Sequence, residues 1–155
     1  MNGKFVFLHP NGKPSSVTNY KYGTKHGEYV NYHYNQKIYQ KGKYQNGNKV
    51  GTWKTYYRNG KVSSIKNYVD GNLVGKVVRY HENGKLEEVV YIDEYGEEHG
   101  LDTNYHDNGV ISMIIPINHG FKHGSYAVYD TEGKAMYKKF FNGNQFIGYS
   151  YLKRG

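Results

Sequence analysis

Eight histidines and thirteen acidic residues are the side chains in this chain that could hold a metal or move a proton. His26, His99 and His123 each stand directly before a glycine, and Lys-His-Gly recurs at 25–27 and 122–124. His9, His33, His81 and His106 occupy a second recurring position, and His119 sits four residues before His123. The carboxylates cluster as Glu87-Glu88, Asp93-Glu94 and Glu97-Glu98. Adjacent residues on a strand point to opposite faces, so these pairs do not make a catalytic dyad. No run has the ligand spacing of a calcium loop. No glycine-rich turn leads from a strand into a helix, and no serine or threonine is framed as an activated nucleophile. There is no cysteine, hence no disulfide and no thiolate site. The residues predict no catalytic group, no metal site and no cofactor, and the chain does not read as an enzyme.

The elements that position these side chains follow from a strict period. Glycines open successive segments at Gly3, Gly27, Gly51, Gly75, Gly100, Gly124 and Gly148, at spacings of 24, 24, 24, 25, 24 and 24. Turn pairs keep step: Asn11-Gly12, Asn35-Gln36, Asn59-Gly60, Asn83-Gly84, Asn108-Gly109 and Glu132-Gly133. Asn-Gly between alternating runs is a hairpin signal, and it predicts type I′ turns with positive φ at both central residues. Leu8, Tyr32, Tyr56, Tyr80, Tyr105 and Tyr129 follow the opening glycines at a constant distance of five residues. Self-similarity at fixed period marks a repeat array. The array comprises repeats 3–26, 27–50, 51–74, 75–99, 100–123 and 124–147 and a capping strand at 148–155, a single repeat domain over 1–155.

The motifs GTWKTYYRNGK, GEYVNYHYNQK and GSYAVYDTEGK, followed by YQNGNKVG, YVDGNLVG and YKYGTKHG, resemble the MORN repeat, more closely the bacterial variant of antitoxin or immunity proteins. The resemblance covers residues 3 to about 151. It implies a hairpin array used as a scaffold. It also implies a protein partner, a toxin neutralised by steric capture.

Composition agrees with a thin sheet better than with a globular core. Val, Ile, Leu and Phe make up about a fifth of the 155 residues, whereas Tyr alone numbers 19. The first residues carry no signal peptide of normal design, and no segment reaches membrane-spanning length, which gives a cytoplasmic expectation. Net charge is +8, unevenly placed: residues 1–69 carry twelve Lys and Arg against Glu28 alone, residues 70–110 are net −7, and the remainder is net +4. Arginine, the usual fork for phosphates and guanine edges, occurs only as Arg58, Arg79 and Arg154, which argues against nucleic acid as a partner.

Individual repeats depart from the pattern in ways that predict local irregularity. Gln36 replaces the turn glycine and should strain its hairpin or change its type. An additional residue near Val90–Asp93 should produce a bulge or a longer inter-repeat loop. Asp102 stands where other repeats have an aromatic or apolar residue, and Pro116 should limit its strand to partial pairing.

Two strands per repeat and a final cap give an all-β fold: an elongated single-layer antiparallel meander of thirteen strands, six stacked hairpins of 24 residues. Equivalent residues in neighbouring repeats then lie about 9.5 Å apart, twice the inter-strand spacing. That is too far for a histidine column to close the roughly 2.0–2.1 Å bonds of a zinc shell. Alternation places Phe5, Tyr29, Trp53, Val77, Asp102 and Tyr126 on one face, with His9, His33, Tyr57, His81, His106 and Asp130 further along it. The column five residues after each opening glycine, Leu8 and then five tyrosines, is nearly invariant, whereas His9, His33, Tyr57, His81, His106 and Asp130 change from repeat to repeat, as a surface fitted to one partner would. Trp53, Tyr57, Arg79, His33, His81 and His106 are therefore the expected protein-binding residues. The expected partner is another protein with an acidic patch. An anionic membrane surface and a second copy paired through sheet edges are the alternatives.

Overall fold

A computed structural model describes residues 1–151, and all of its regular structure there is β. The predicted cap at 148–155 is described only as far as Tyr151; its remainder, Arg154 included, lies outside the described residues. Two compact units are present, Met1–Val74 and Gly75–Gly155.

The first unit contains β1 (Gly3–Leu8), β2 (Pro14–Lys21), β3 (Thr24–Tyr32), β4 (Ile38–Gln45), β5 (Asn48–Tyr56) and β6 (Val62–Val69). Each strand pairs antiparallel with the next, the meander that short connections impose. The second unit continues the pattern through β7 (Asn72–Tyr80), which begins just before the division, β8 (Leu86–Ile92), β9 (Gly100–Tyr105) and β10 (Ile111–Asn118). It ends with β11 (Phe121–Lys122), β12 (Gly124–Tyr129), β13 (Ala135–Asn142) and β14 (Gln145–Tyr151).

The described residues thus hold fourteen strands where thirteen were expected. The extra one arises because His123 interrupts the strand opposite Pro116. Proline has no N–H to offer the His123 carbonyl, so only one bond of this pair forms, from the His123 N–H to the Pro116 carbonyl at 3.2 Å, and β11 is split from β12. The inserted residue of the fourth repeat lengthens an inter-repeat connection, as predicted: Ile92 pairs with Glu98, and residues 93–97 form a longer turn in place of the two-residue turn seen at Asp70-Gly71.

The turn assignment needs correction. Positive φ at both central residues occurs between repeats, at Tyr22-Gly23, Asn46-Gly47, Asp70-Gly71 and His119-Gly120. In the turns within repeats only the second residue of each turn pair takes positive φ, as Gly60 does; its N–H donates to the Tyr57 carbonyl at 2.9 Å, and the Tyr57 N–H donates to the Lys61 carbonyl at 2.9 Å. That is a three-residue loop, a type I turn closed by a left-handed residue, in which Asn59 needs no positive φ. Asn59 instead accepts the Lys61 N–H on Oδ1 at 2.9 Å. Gln36 keeps the same hydrogen bonds and adopts φ 65°, so this hairpin is strained rather than changed in type.

Every repeat also carries a β-bulge that sequence reading did not foresee. Thr55 pairs with Ser64 but Tyr56 with Val62, leaving Ser63 extra on the returning strand, and the other five hairpins shift at the equivalent point.

Burial is sparse, as the composition predicts. In the first unit Trp53 and Thr18 are buried. In the second, Val77 faces its buried cross-strand partner Val90, and Ile115, Ile117 and Tyr126 pack with Met113, Val128 and Phe141.

Candidate binding surface

The column expected to vary for a partner's sake is engaged in stacking the repeats. Nε2 of His33 contacts the Tyr56 carbonyl at 2.9 Å, His81 the Tyr105 carbonyl at 3.1 Å, and His106 the Tyr129 carbonyl at 2.9 Å. A carbonyl only accepts, so each Nε2 carries the hydrogen. The neighbouring turn residues extend this ladder. Asn35, Asn83 and Asn108 donate Nδ2 to the carbonyls of Arg58, Asp107 and Thr131, and Lys37 and Lys85 donate Nζ to Asn59 and Asn108. Three of the column's histidines thus bond a backbone carbonyl, an acceptor present in every repeat, while Nε2 of His9 is buried with no hydrogen-bond partner. Variation therefore does not distinguish a partner-facing position from a stacking one.

The remaining expected residues divide similarly. Trp53 is 2 % exposed, and its indole lies beneath the surface rather than on it. Arg79 pairs across the strands with Glu88 and forms a salt bridge to it. Tyr57 is half-buried at the turn after β5.

What the structure does assemble is a face of the first unit on which lysines lie over aromatic rings. Tyr29, Tyr44 and Tyr68 surround Trp53, with ring centroids 5.5, 5.0 and 6.2 Å from the indole. Lys49 Nζ sits 4.4 Å from the Trp53 centroid and 5.1 Å from that of Tyr68; Lys25 Nζ sits 5.0 Å from Tyr44 and 5.7 Å from Tyr29. Lys66, paired opposite Trp53, shares the face. Burial first, then Lys66 and Lys25, pushes the Lys49 ammonium below its ordinary pKa. Glu28, the one acid in residues 1–69, alternates onto the opposite face and binds Lys43 there at 3.1 Å. Further along, His9, His33, Tyr34, Tyr39 and Arg58 line a shallow cleft of about 460 Å³, in which His9 stacks on Tyr34 at 4.2 Å. Lys25 and Lys49 recur at the repeat period, as do Tyr20, Tyr44 and Tyr68. That coincidence was the available signal for this face.

The family model described as MORN repeat variant matches residues 1–22, 49–70 and 73–93. The chain carries MORN repeats of the variant type. The matched stretches begin within two residues of the opening glycines Gly3, Gly51 and Gly75, so family pattern and structural repeat coincide. Gln36 and Asp102, the departures from the repeat, fall outside them. MORN repeats are binding scaffolds, and an open sheet of hairpins agrees with that use. No curated protein matches the chain. Among the described residues no helix is long and apolar enough to cross a membrane.

Proposed function

We propose that this repeat protein is a non-enzymatic, cytoplasmic scaffold that captures another protein through the lysine-topped aromatic face of its first unit. The observation behind the reading is that Lys25, Lys49 and Lys66 crowd one face while Glu28 is turned away from it. A partner's carboxylates would relieve this like-charge crowding, and the Tyr rings with the buried Trp53 beneath them supply the rigid flat area typical of binding hot spots. The cleft beside His33 and Arg58 extends the surface. The resemblance of the repeat motifs to those of bacterial antitoxin and immunity proteins favours a toxin as that partner, neutralised by covering its active site.

The test is Lys25→Glu with Lys49→Glu and Lys66→Glu in the full chain. The partner is isolated by pull-down from the source cells, identified, and titrated calorimetrically. A loss of at least about tenfold in affinity, or 1.4 kcal/mol, with the fold retained by circular dichroism is expected. Unchanged affinity would move the site elsewhere. Salt-sensitive pelleting with phosphatidylserine vesicles, lost in the same variant, would instead assign the face to an anionic membrane. Concentration-dependent mass in light scattering would assign the sheet edges to self-association.

A further inference from the structure

The second unit holds an assembly of ligand atoms made by the residue inserted in the fourth repeat. Asp93 opens the lengthened inter-repeat turn, and its Oδ1 accepts the N–H groups of Tyr95 and Glu97, both at 2.9 Å. Those two bonds fix the carboxylate and leave Oδ2 turned to the ring of His119. Oδ2 faces Nδ1 of His119 at 3.3 Å, and Glu97 Oε2 lies 3.5 Å from the same nitrogen. The His99 ring is 5.3 Å from that of His119, centroid to centroid, and one ligand atom each from Asp93, His99 and His119 all fall within 4.8 Å of one another.

The backbone holds these residues in place independently of any ion. The His99 N–H donates to the Tyr91 carbonyl at 2.9 Å, and the Gly120 N–H donates to Glu98 at 2.8 Å, which ties the His119-Gly120 turn to the inserted loop. His119 adopts φ 46°, the left-handed conformation that Tyr22, Asn46 and Asp70 take at the equivalent place in their inter-repeat turns. The spacing of about 9.5 Å that keeps a metal out of an ideal array holds for equivalent positions in successive repeats. The insertion breaks that equivalence and brings 93 and 99 from one repeat to 119 of the next.

We propose that Asp93, His99 and His119 bind a divalent transition-metal ion, zinc foremost, with Glu97 as the fourth donor. Bonds of roughly 2.0–2.1 Å in a tetrahedron place ligand atoms about 3.3 Å apart. The Asp93–His119 and Glu97–His119 separations already match, and rotation of the exposed His99 side chain brings in the third ligand. Two imidazoles with carboxylates suit zinc over calcium or magnesium, which take oxygen alone. The two amides on Asp93 Oδ1 are the outer-shell support such ligands commonly have. With four protein donors the site is structural: the ion clips the long loop between repeats to the next inter-repeat turn.

The experiment uses the full chain, stripped with chelator and titrated with zinc alone. Calorimetry should show one ion bound per chain, melting temperature should rise on loading, and cobalt(II) in place of zinc should give the visible absorption of a tetrahedral site. His99→Ala and His119→Asn, the latter chosen because asparagine tolerates positive φ, should each weaken zinc binding at least tenfold and abolish the cobalt band while retaining the β spectrum. His26→Ala with His123→Ala should bind as wild type. An absence of binding by wild type, or wild-type affinity in either site variant, would overturn the proposal.

Discussion

The indole of Trp53 lies directly on the backbone of Gly42, so that a Cβ built on Gly42 would overlap Cδ2 and Cε2 of the ring. Gly42 has ordinary backbone geometry, unlike the turn glycines, and its missing side chain serves only to admit the ring. Trp53→Ala is expected to cost about 3 kcal/mol, read from urea unfolding. Gly42→Ala should also destabilise, because the buried indole has nowhere to move. The two together should cost less than their sum, since the methyl enters the space the indole vacates. Strict additivity would show that the contact is absent in solution.

The histidine ladder predicts an effect on stability rather than on binding. His106→Ala removes the contact from Nε2 to the Tyr129 carbonyl and should cost about 1 kcal/mol. Asn108→Ala removes two bonds, to Thr131 and from Val110, and should cost at least as much. Thermal melts of the two variants read this directly; wild-type melting in both would show that the ladder contributes nothing.

Gln36 is the one within-repeat turn residue of its column that is not glycine yet has positive φ. Gln36→Gly should remove the left-handed penalty of roughly 1–2 kcal/mol. The added freedom of the unfolded chain and the loss of the 3.3 Å contact to the Pro14 carbonyl subtract from that gain. A net stabilisation of about 0.5 kcal/mol is expected in urea unfolding, and destabilisation would show that the turn geometry is set otherwise.

Asp102 is half-buried opposite Ile115, its Oδ1 accepting from Asn104 at 2.8 Å. Burial, then the nearby Glu98, raises its carboxyl above the ordinary value near 3.8. A carboxyl whose pKa rises on folding binds its proton more tightly in the folded chain. Its contribution is most favourable below the unfolded value and is lost as pH climbs through the raised folded value. Asp102→Asn should therefore melt higher than wild type near pH 7, and the two curves should converge as pH falls towards 4. A gap independent of pH would assign the effect to packing alone.

The sequence by itself determined the repeat and its length, the meander and the inserted loop, because glycines at fixed intervals leave short connections only one way to pair. It also determined the charge asymmetry, a sum over residues that no fold can alter. Tertiary structure alone decided what each recurring column does. His33, His81 and His106 hydrogen-bond a backbone carbonyl one repeat away, a partner with no residue identity to read along the chain. Trp53 is buried because Gly42 on the adjacent strand leaves room for it, and periodicity does not report depth within a single-layer sheet. Asp93, His99 and His119 meet because one inserted residue shifts a loop against the following turn. Spacing along an ideal array describes equivalent positions, and the chemistry concentrates where equivalence fails.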